Sequence, residues 1–377
     1  MSLLPDNVNE ISAKVLEALV GTPHECVTLA PLSGGNANFS FRGQLAQHAI
    51  QGDDEFILVK HGEDYLARNQ RQQVTTDRCR AEADALQALH AFPPTESGGW
   101  VIRTPRLHAF YEESNIQIQE YIPFAQDLKR YIIECSQAGA PPTAWSEDMA
   151  RFGHALGTWL GRFHEWGARP EHAELKRVAT ANKEIQRLKH LANYYFLVLA
   201  VDKFPALLGD AREVFEQVKA MADAEIEDES KLQVTHGDFW TGNILLRTDE
   251  ELGSRRSASV VDWEVLSLGV PARDLGQMLA ELYMLKHFKD IDAGLWMMRE
   301  FVKGYAEATN GIFEDETAFR IAIHLGMHVI VIGGSVPGWG SLEDVVRVVT
   351  LGKEIIIRAW KKDGTWFEGS DLAFLFV

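Results

Sequence analysis

Cysteine is scarce: three residues in 377, at positions 26, 79 and 135. The number is odd and no pair has metal-ligand spacing. Both facts argue against a disulfide framework or a thiolate metal cage and leave reduced, buried thiols. Basic charge is also short. Lys and Arg total 37 against 54 Asp and Glu, a formal net charge of −17. Nucleic acid or an anionic membrane as the main partner would demand clustered cations, so neither is expected. An acidic balance is compatible with a cationic small molecule, although most acidic proteins are simply soluble. Long apolar runs are missing too. The most apolar late stretch, Ile321 to Ile332, carries His324 and His328 and falls short of the ~20 residues that span a bilayer. Met1 to Asn7 have neither the basic start nor the apolar core of a secretory leader. A reducing, cytoplasmic setting is the expectation. No internal repeat or low-complexity tract is visible.

What is present is apolar substance, 46% of the chain, enough for one large domain or two lobes. Val8 to Leu19 has helical spacing. The period then shifts to strands at Val27–Leu29, Phe39–Phe41 and Glu55–Lys60, an antiparallel meander with a polar turn over His48 to Asp54. A helix over Asp77 to Leu89 and two more strands, Thr104–Tyr111 and Ile116–Tyr121, complete a β-rich segment. A boundary is expected at Ile122-Pro123, dividing the chain into lobes 1–122 and 123–377. Beyond it the pattern turns helical: Ala125–Cys135, Glu147–Trp166, Ala181–Val201 and Pro205–Glu229, then four further helices from Leu275 to Lys361. Two apolar strands interrupt the helices, joined by polar residues 247–259.

Those two strands carry the chemistry. His236-Gly237-Asp238 precedes Asn243 by a short loop, and the second strand ends Val260-Val261-Asp262-Trp263-Glu264. A carboxylate, an Asn five positions on and a second carboxylate after a hairpin are parts that phosphoryl transfer uses: Asp238 to orient a hydroxyl, Asn243 and Asp262 as hard oxygen ligands for Mg²⁺. Glu264 reads two ways. Strand alternation puts it beside Asp262 as a further metal ligand, or it is a surface acid. His236 is expected to fix the loop. Upstream lie the other parts, each unremarkable alone: a turn at Ser33-Gly34-Gly35 that lets backbone N–H groups approach an anion, Lys60 ending a strand, and Glu82 on the next helix to steady that Lys. Their order along the chain, once each, is the signal.

On these residues the chain resembles the aminoglycoside phosphotransferase family, small-molecule kinases that include choline, homoserine and methylthioribose kinases. Arg273-Asp274-Leu275-Gly276, Leu32 and Asn38 support the likeness. The resemblance implies an α+β, protein-kinase-like two-lobed fold: a small antiparallel β-rich N-lobe and a larger mainly helical C-lobe. It implies Asp238 as catalytic base and ATP with Mg²⁺ as cofactors. Ser33, Gly34, Gly35, Asn38, Lys60 and Glu82 would face the nucleotide, Glu120-Tyr121-Ile122 would be the hinge at adenine, and Asp274 would steady the catalytic loop. Protein kinases have Arg where Gly237 stands, and only eleven residues separate Asp262 from Asp274. No room remains for an activation segment, so a small acceptor is implied. Trp240 is shared with fructosamine kinases, but Trp263 stands where those have Pro. Asp262-x-Glu264 is closer to choline and methylthioribose kinases. Neither likeness carries a substrate over.

Trp240, Glu281, Tyr283, Trp296 and Trp339 are candidates to line an acceptor pocket suited to a cation, although aromatics at helical spacing are more often core. A catalytically idle kinase-like fold is the runner-up reading. A metal-dependent hydrolase using His236, Asp238 and Asp262 would require more His at ligand spacing.

Overall fold

The computed structural model describes residues 5–46, 55–139, 142–250, 254–309, 311, 313–336 and 338–376. The expected turn over His48 to Asp54 lies outside them. The apolar stripe Val8, Ile11, Val15 and Leu19 makes helix α1 (Val8–Leu19) and is buried along its length. Strands β1 (Cys26–Pro31), β2 (Phe39–Leu45) and β3 (Phe56–His61) follow as the antiparallel meander. A small hairpin, β4 (Tyr65–Leu66) and β5 (Asn69–Gln73), leads to α2 (Asp77–Leu89). After it come β6 (Thr95–Ser97), β7 (Trp100–Arg103), β8 (Leu107–Tyr111) and β9 (Ile116–Glu120). The main sheet has the order β1-β2-β3-β9-β8. Its inward residues, among them Phe41, Val59 and Ile118, form a core of their own with α1.

The expected helix at Ala125 begins later. β10 (Ala125–Asp127) pairs with a strand of the next sheet, and Asp127 caps α3 (Leu128–Gln137) by accepting from the Arg130 N–H at 2.9 Å. Then come α4 (Pro142–Ala168), α5 (Ala173–Ala181), α6 (Lys183–His190) and α7 (Phe196–Lys203). The single helix expected over Ala181–Val201 is thus three pieces, with a π-helical turn at Leu191–Tyr195 between α6 and α7. A short α8 (Pro205–Leu208) precedes α9 (Arg212–Glu227). Strands β11 (Gln233–Thr235), β12 (Ile244–Arg247), β13 (Arg256–Val260) and β14 (Ser267–Gly269) follow. Helices α10 (Ala272–Lys289), α11 (Ala293–Ala308), α12 (Asp315–His328), α13 (Leu342–Trp360) and α14 (Gly364–Glu368) complete the lobe. The helical stretch Asp315–Gly333 is long and apolar enough to cross a membrane by composition, and 83% of that window is buried inside the protein.

The second sheet, β10-β12-β13-β7-β6, holds the hairpin read from the sequence, but its strand begins sooner than polarity suggests. Arg256 to Ser259 belong to β13, not to a polar connection. Arg256 is buried beneath the sheet, donating to Asp148 Oδ2 at 2.7 Å and to the Tyr131 hydroxyl at 3.2 Å, with its guanidinium over the Trp100 ring. A paired, stacked arginine satisfies a core position that an isolated charge could not. β13 pairs in parallel with β7, Arg256 opposite Trp100 and Ser259 opposite Arg103. Residues from Ala85 through Ile102 accordingly pack in the larger core with α4, α10 and α11.

Helices α4 and α11 approach with backbone almost in contact. Gly153, Gly157 and Gly161 recur every four residues on α4, facing Met297, Phe301 and Tyr305 of α11. A Cβ at Gly153 would lie 2.6 Å from the Met297 carbonyl, and one at Gly157 would overlap the Phe301 carbonyl. Gly157→Ala is therefore expected to force these helices apart and lower unfolding free energy by about 1–3 kcal/mol. Urea denaturation measures it; a midpoint equal to wild type would mean that the helices can separate freely.

Candidate active site

The site is assembled where the first sheet, α2 and the β12–β13 hairpin meet. Lys60 is not a solvated strand end: it is buried on β3, and its Nζ lies 2.7 Å from Glu82 Oε1 and 2.8 Å from Asp262 Oδ1. Glu82, fully buried on α2, is held in turn by Gln117 Nε2 at 3.1 Å and by the Trp263 N–H at 3.3 Å. Burial opposes the Lys60 charge, but Asp262, Glu82 and Glu264 hold its pKa well above the ordinary lysine value. Three residues distant in sequence thus meet in one ion triad, with Lys60 and Glu82 buried and Asp262 partly exposed.

Glu264 is buried rather than a surface acid. Nor does alternation place it beside Asp262, because the strand ends at Val260. Asp262 takes a left-handed conformation (φ 68°), and Trp263–Val265 form a 3₁₀ turn. Glu264 instead reaches the glycine turn: Asn38 Nδ2 donates to its Oε2 at 2.9 Å, and Arg78 Nε lies 3.4 Å from the same oxygen. Burial, followed by the Asp262 charge, pushes its carboxyl pKa upward. Arg78 also donates to Asn38 Oδ1 at 3.1 Å. Ser33, Gly34, Gly35 and Asn38 line a small hollow beside this pair.

The catalytic loop is fixed from below by Asp274. Its Oδ2 accepts from the His236 N–H at 2.8 Å and its Oδ1 from the Gly237 N–H at 3.0 Å, while His164 Nε2 donates to Oδ2 at 3.2 Å. Gly237 has φ +79°, and a Cβ there would run into the Val265 carbonyl. No side chain, Arg included, fits this turn. His236 accepts the Asp238 N–H at Nδ1 (3.3 Å) and donates from Nε2 to the Val261 carbonyl (3.1 Å), a pairing that requires the neutral ring. Its pKa is lowered by burial in spite of nearby Asp274 and Asp238. It stitches the loop to the strand before Asp262, with both ring nitrogens committed to backbone partners.

Asp238 receives Lys189 Nζ at 2.5 Å and Gln277 Nε2 at 2.7 Å, both on Oδ1, and Asn243 Nδ2 at 3.3 Å on Oδ2. Burial would raise its carboxyl pKa, but the Lys189 charge and these hydrogen bonds hold it below the ordinary carboxylate value. The pattern in the sequence marks neither Lys189 nor Gln277. Both lie in stretches of helical period, but that period does not say which polar residue turns toward Asp238, 49 and 39 positions away.

Asn243 commits its amide nitrogen to Asp238, also to its backbone carbonyl at 3.0 Å, which leaves Oδ1 as its candidate metal-facing atom. The Asp262 side chain is 28% exposed. Among the described residues no group of three His, Cys, Asp or Glu is gathered as a metal cage. An amide oxygen and a partly exposed carboxylate, with Lys60 beside the latter, fit a Mg²⁺ ion that takes its remaining ligands from phosphates and water.

Glu120 ends β9 with its carboxylate paired to Arg103 at 2.5 Å, so only its backbone and that of Tyr121-Ile122 are candidates to meet a nucleotide. Of the pocket candidates, Glu281 and Trp339 are brought together by Lys129, whose Nζ lies 3.7 Å from Glu281 Oε2 and 3.3 Å from the Trp339 ring centre. Glu281 also accepts from Thr241 of the catalytic loop at 3.2 Å and lies 3.0 Å from His328 Nε2. Trp240 lies over Gly242. Tyr283 and Trp296 pack elsewhere, against His287 and Trp145.

Residues 48–309 match the family model described as the phosphotransferase enzyme family, APH. The chain is 28% identical over 368 residues to phosphotransferase FrzJ of Cladobotryum sp, covering 94% of this chain and 93% of that protein. It is 26% identical over 326 residues to a 4-hydroxytryptamine kinase of Psilocybe cubensis, covering 85% and 84%. An ethanolamine kinase of Plasmodium vivax superposes with a TM-score of 0.53 at 13% identity, over 94% of this chain and 89% of that one. The small antiparallel β-lobe and larger helical lobe are thus the protein-kinase-like α+β arrangement that the resemblance implied.

Proposed function

The chain belongs to the phosphotransferase enzyme family and is a small-molecule kinase with an alcohol group as acceptor; from that premise we propose that it moves the γ-phosphate of ATP, with Mg²⁺, to a hydroxyl of an amine-bearing small molecule. The observation that carries the reading is the Lys60–Glu82–Asp262 triad next to Asp238 and Asn243. Lys60 is the phosphate contact, and Glu82 keeps it aimed. Asn38, tied to Glu264 and Arg78, sets the glycine turn over the phosphates. Asn243 and Asp262 hold the metal; when bound, Mg²⁺ neutralises charge on the phosphates. Glu264 acts on this site through Asn38. Asp238 accepts the hydrogen bond of the acceptor hydroxyl and orients it for attack.

The amine follows from the chain's acidic balance and from two relatives. A net charge of −17 favours a cationic acceptor, whereas Glu281 and Trp339 are already engaged by Lys129. The 4-hydroxytryptamine kinases make a hydroxylated aromatic amine the first acceptor to try. The test is ADP release from ATP and Mg²⁺ across 4-hydroxytryptamine, ethanolamine, choline, glucosamine and an aminoglycoside. Release that depends on at least one of them is expected. No acceptor-dependent release from any, together with no thermal shift from ATP and Mg²⁺, would sink the proposal.

A further inference from the structure

We infer that Lys189 is a positioning residue of the transfer reaction, an ammonium brought from α6 to hold the Asp238 carboxylate with one oxygen facing the acceptor. The inference rests on the phosphotransferase reading of the site. The loop from His236 to Asn243 contains no Lys or Arg, and its one imidazole is committed to backbone partners at both nitrogens. Lys60 serves Glu82 and Asp262, and Arg78 serves Asn38 and Glu264. The cation in contact with Asp238 comes from another helix.

Its placement is built rather than incidental. On α6 and the residue before it, Asn182, Gln186 and Lys189 fall on one face. Asn182 Nδ2 donates to the carbonyls of Glu264 and Leu266, both at 2.9 Å, and Gln186 Nε2 donates to the Leu268 carbonyl at 2.6 Å. The helix is therefore latched to the segment directly following Asp262. Lys189 completes the row at Asp238, with both side chains about four-fifths covered (20% and 23% exposed). One helix thereby registers the metal-side strand against the hydroxyl-side carboxylate.

The consequence for the carboxylate is an asymmetry. Oδ1 takes the two short donors, Lys189 and Gln277, and Oδ2 keeps only the longer one from Asn243. Oδ2 is the oxygen left to accept the acceptor's O–H. During transfer the acceptor oxygen bonds to the γ-phosphorus, the bond from that phosphorus to the leaving diphosphate oxygen breaks, and the hydroxyl proton passes to Oδ2. Lys189 takes no part in that proton transfer; it holds the base in place.

The test is a kinetic cycle on the full chain with ATP, Mg²⁺ and the panel acceptor that turns over fastest. Lys189→Met is expected to lower kcat by about 10- to 100-fold with both KM values within about threefold of wild type. Lys189→Arg is expected to recover most of the loss. In an Asp238→Ala background, Lys189→Met is expected to add nothing, because its effect passes through that carboxylate. A rise in acceptor KM at unchanged kcat would overturn the inference, as would the same fractional loss in the Asp238→Ala background. If Lys189→Met melts early, Lys189→Gln, of similar reach and uncharged, carries the same comparison. Wild-type turnover in Asp238→Ala alone would bring down the reading of the whole site, a result distinct from any failure of Lys189.

Discussion

Asp238→Asn lowers kcat by about 10²- to 10⁴-fold, the range that a positioned general base contributes. The substitution preserves shape. The Asn oxygen turns toward Lys189 and Gln277, which today donate to Oδ1. That leaves an amide N–H aimed at the acceptor in place of a lone pair. The hydroxyl is no longer oriented by an acceptor atom, and its proton has nowhere to go. The KM for ATP is expected to move little, since the Lys60, Glu82 and Asn38 contacts do not involve Asp238. The thermal midpoint should stay close to wild type, because the lost charge sits at a site 23% exposed and is not part of the core. Steady-state kinetics with both substrates varied, alongside a thermal melt, measures all three. Turnover within about tenfold of wild type would take Asp238 out of the base role.

The largest effect on stability is expected at Asp274. Its carboxylate is 1% exposed and serves the N–H groups of His236 and Gly237 as well as His164. Burial opposes its charge, yet the His164 hydrogen bond and the nearby imidazoles hold its pKa below the ordinary value. Asp274→Ala leaves two buried N–H donors unpaired, at about 1–3 kcal/mol each, and takes the acceptor from His164 Nε2. A total loss of about 3–5 kcal/mol follows, against a typical total stability of about 5–15 kcal/mol. Activity should vanish with it, since His236 and Gly237 lose the carboxylate that holds the left-handed turn at Gly237 in place. Asp274→Asn retains one acceptor and should lose less. Urea unfolding of both variants decides the matter. An Ala variant within about 1 kcal/mol of wild type would mean that water satisfies the loop.

The parts of this site legible in the sequence are those whose spacing is dictated by one local element. The step from Asp238 to Asn243 is a single loop, and the run from Ile244 to Val260 is a hairpin. The order of Gly34-Gly35, Lys60 and Glu82 follows one meander and one helix. Helices α1 and α2 are legible to the residue because apolar stripes and flanking polar turns bound them. Partners set by packing were not legible. Arg256 reads as a linker residue until Asp148, Tyr131 and Trp100 surround it. Glu264 reads as a strand-face acid until Asp262 adopts a left-handed turn. Lys189 reads as a helix-surface cation until the latch of Asn182 and Gln186 fixes which way α6 is rolled. For Arg256 and for α6 the deciding partners lie more than 80 positions away, and at Glu264 the deciding turn is one that no apolar period encodes.

The parallel pairing of β7 with β13 also sets a clock on synthesis. Trp100 and Ile102 leave the ribosome long before Arg256 and Ala258, their partners in register. At about 5–20 residues per second, the intervening stretch of about 160 residues takes roughly 8 to 30 s to appear. Throughout that interval the nascent chain carries an unzipped, hydrophobic strand edge, which chaperones or misassembly can claim first. Ribosome-arrested chains that end before residue 256 are therefore expected to be cut by protease across 95–103, and chains with β13 fully emerged are expected to resist. Equal protection in both would mean that the early segment finds a provisional partner of its own.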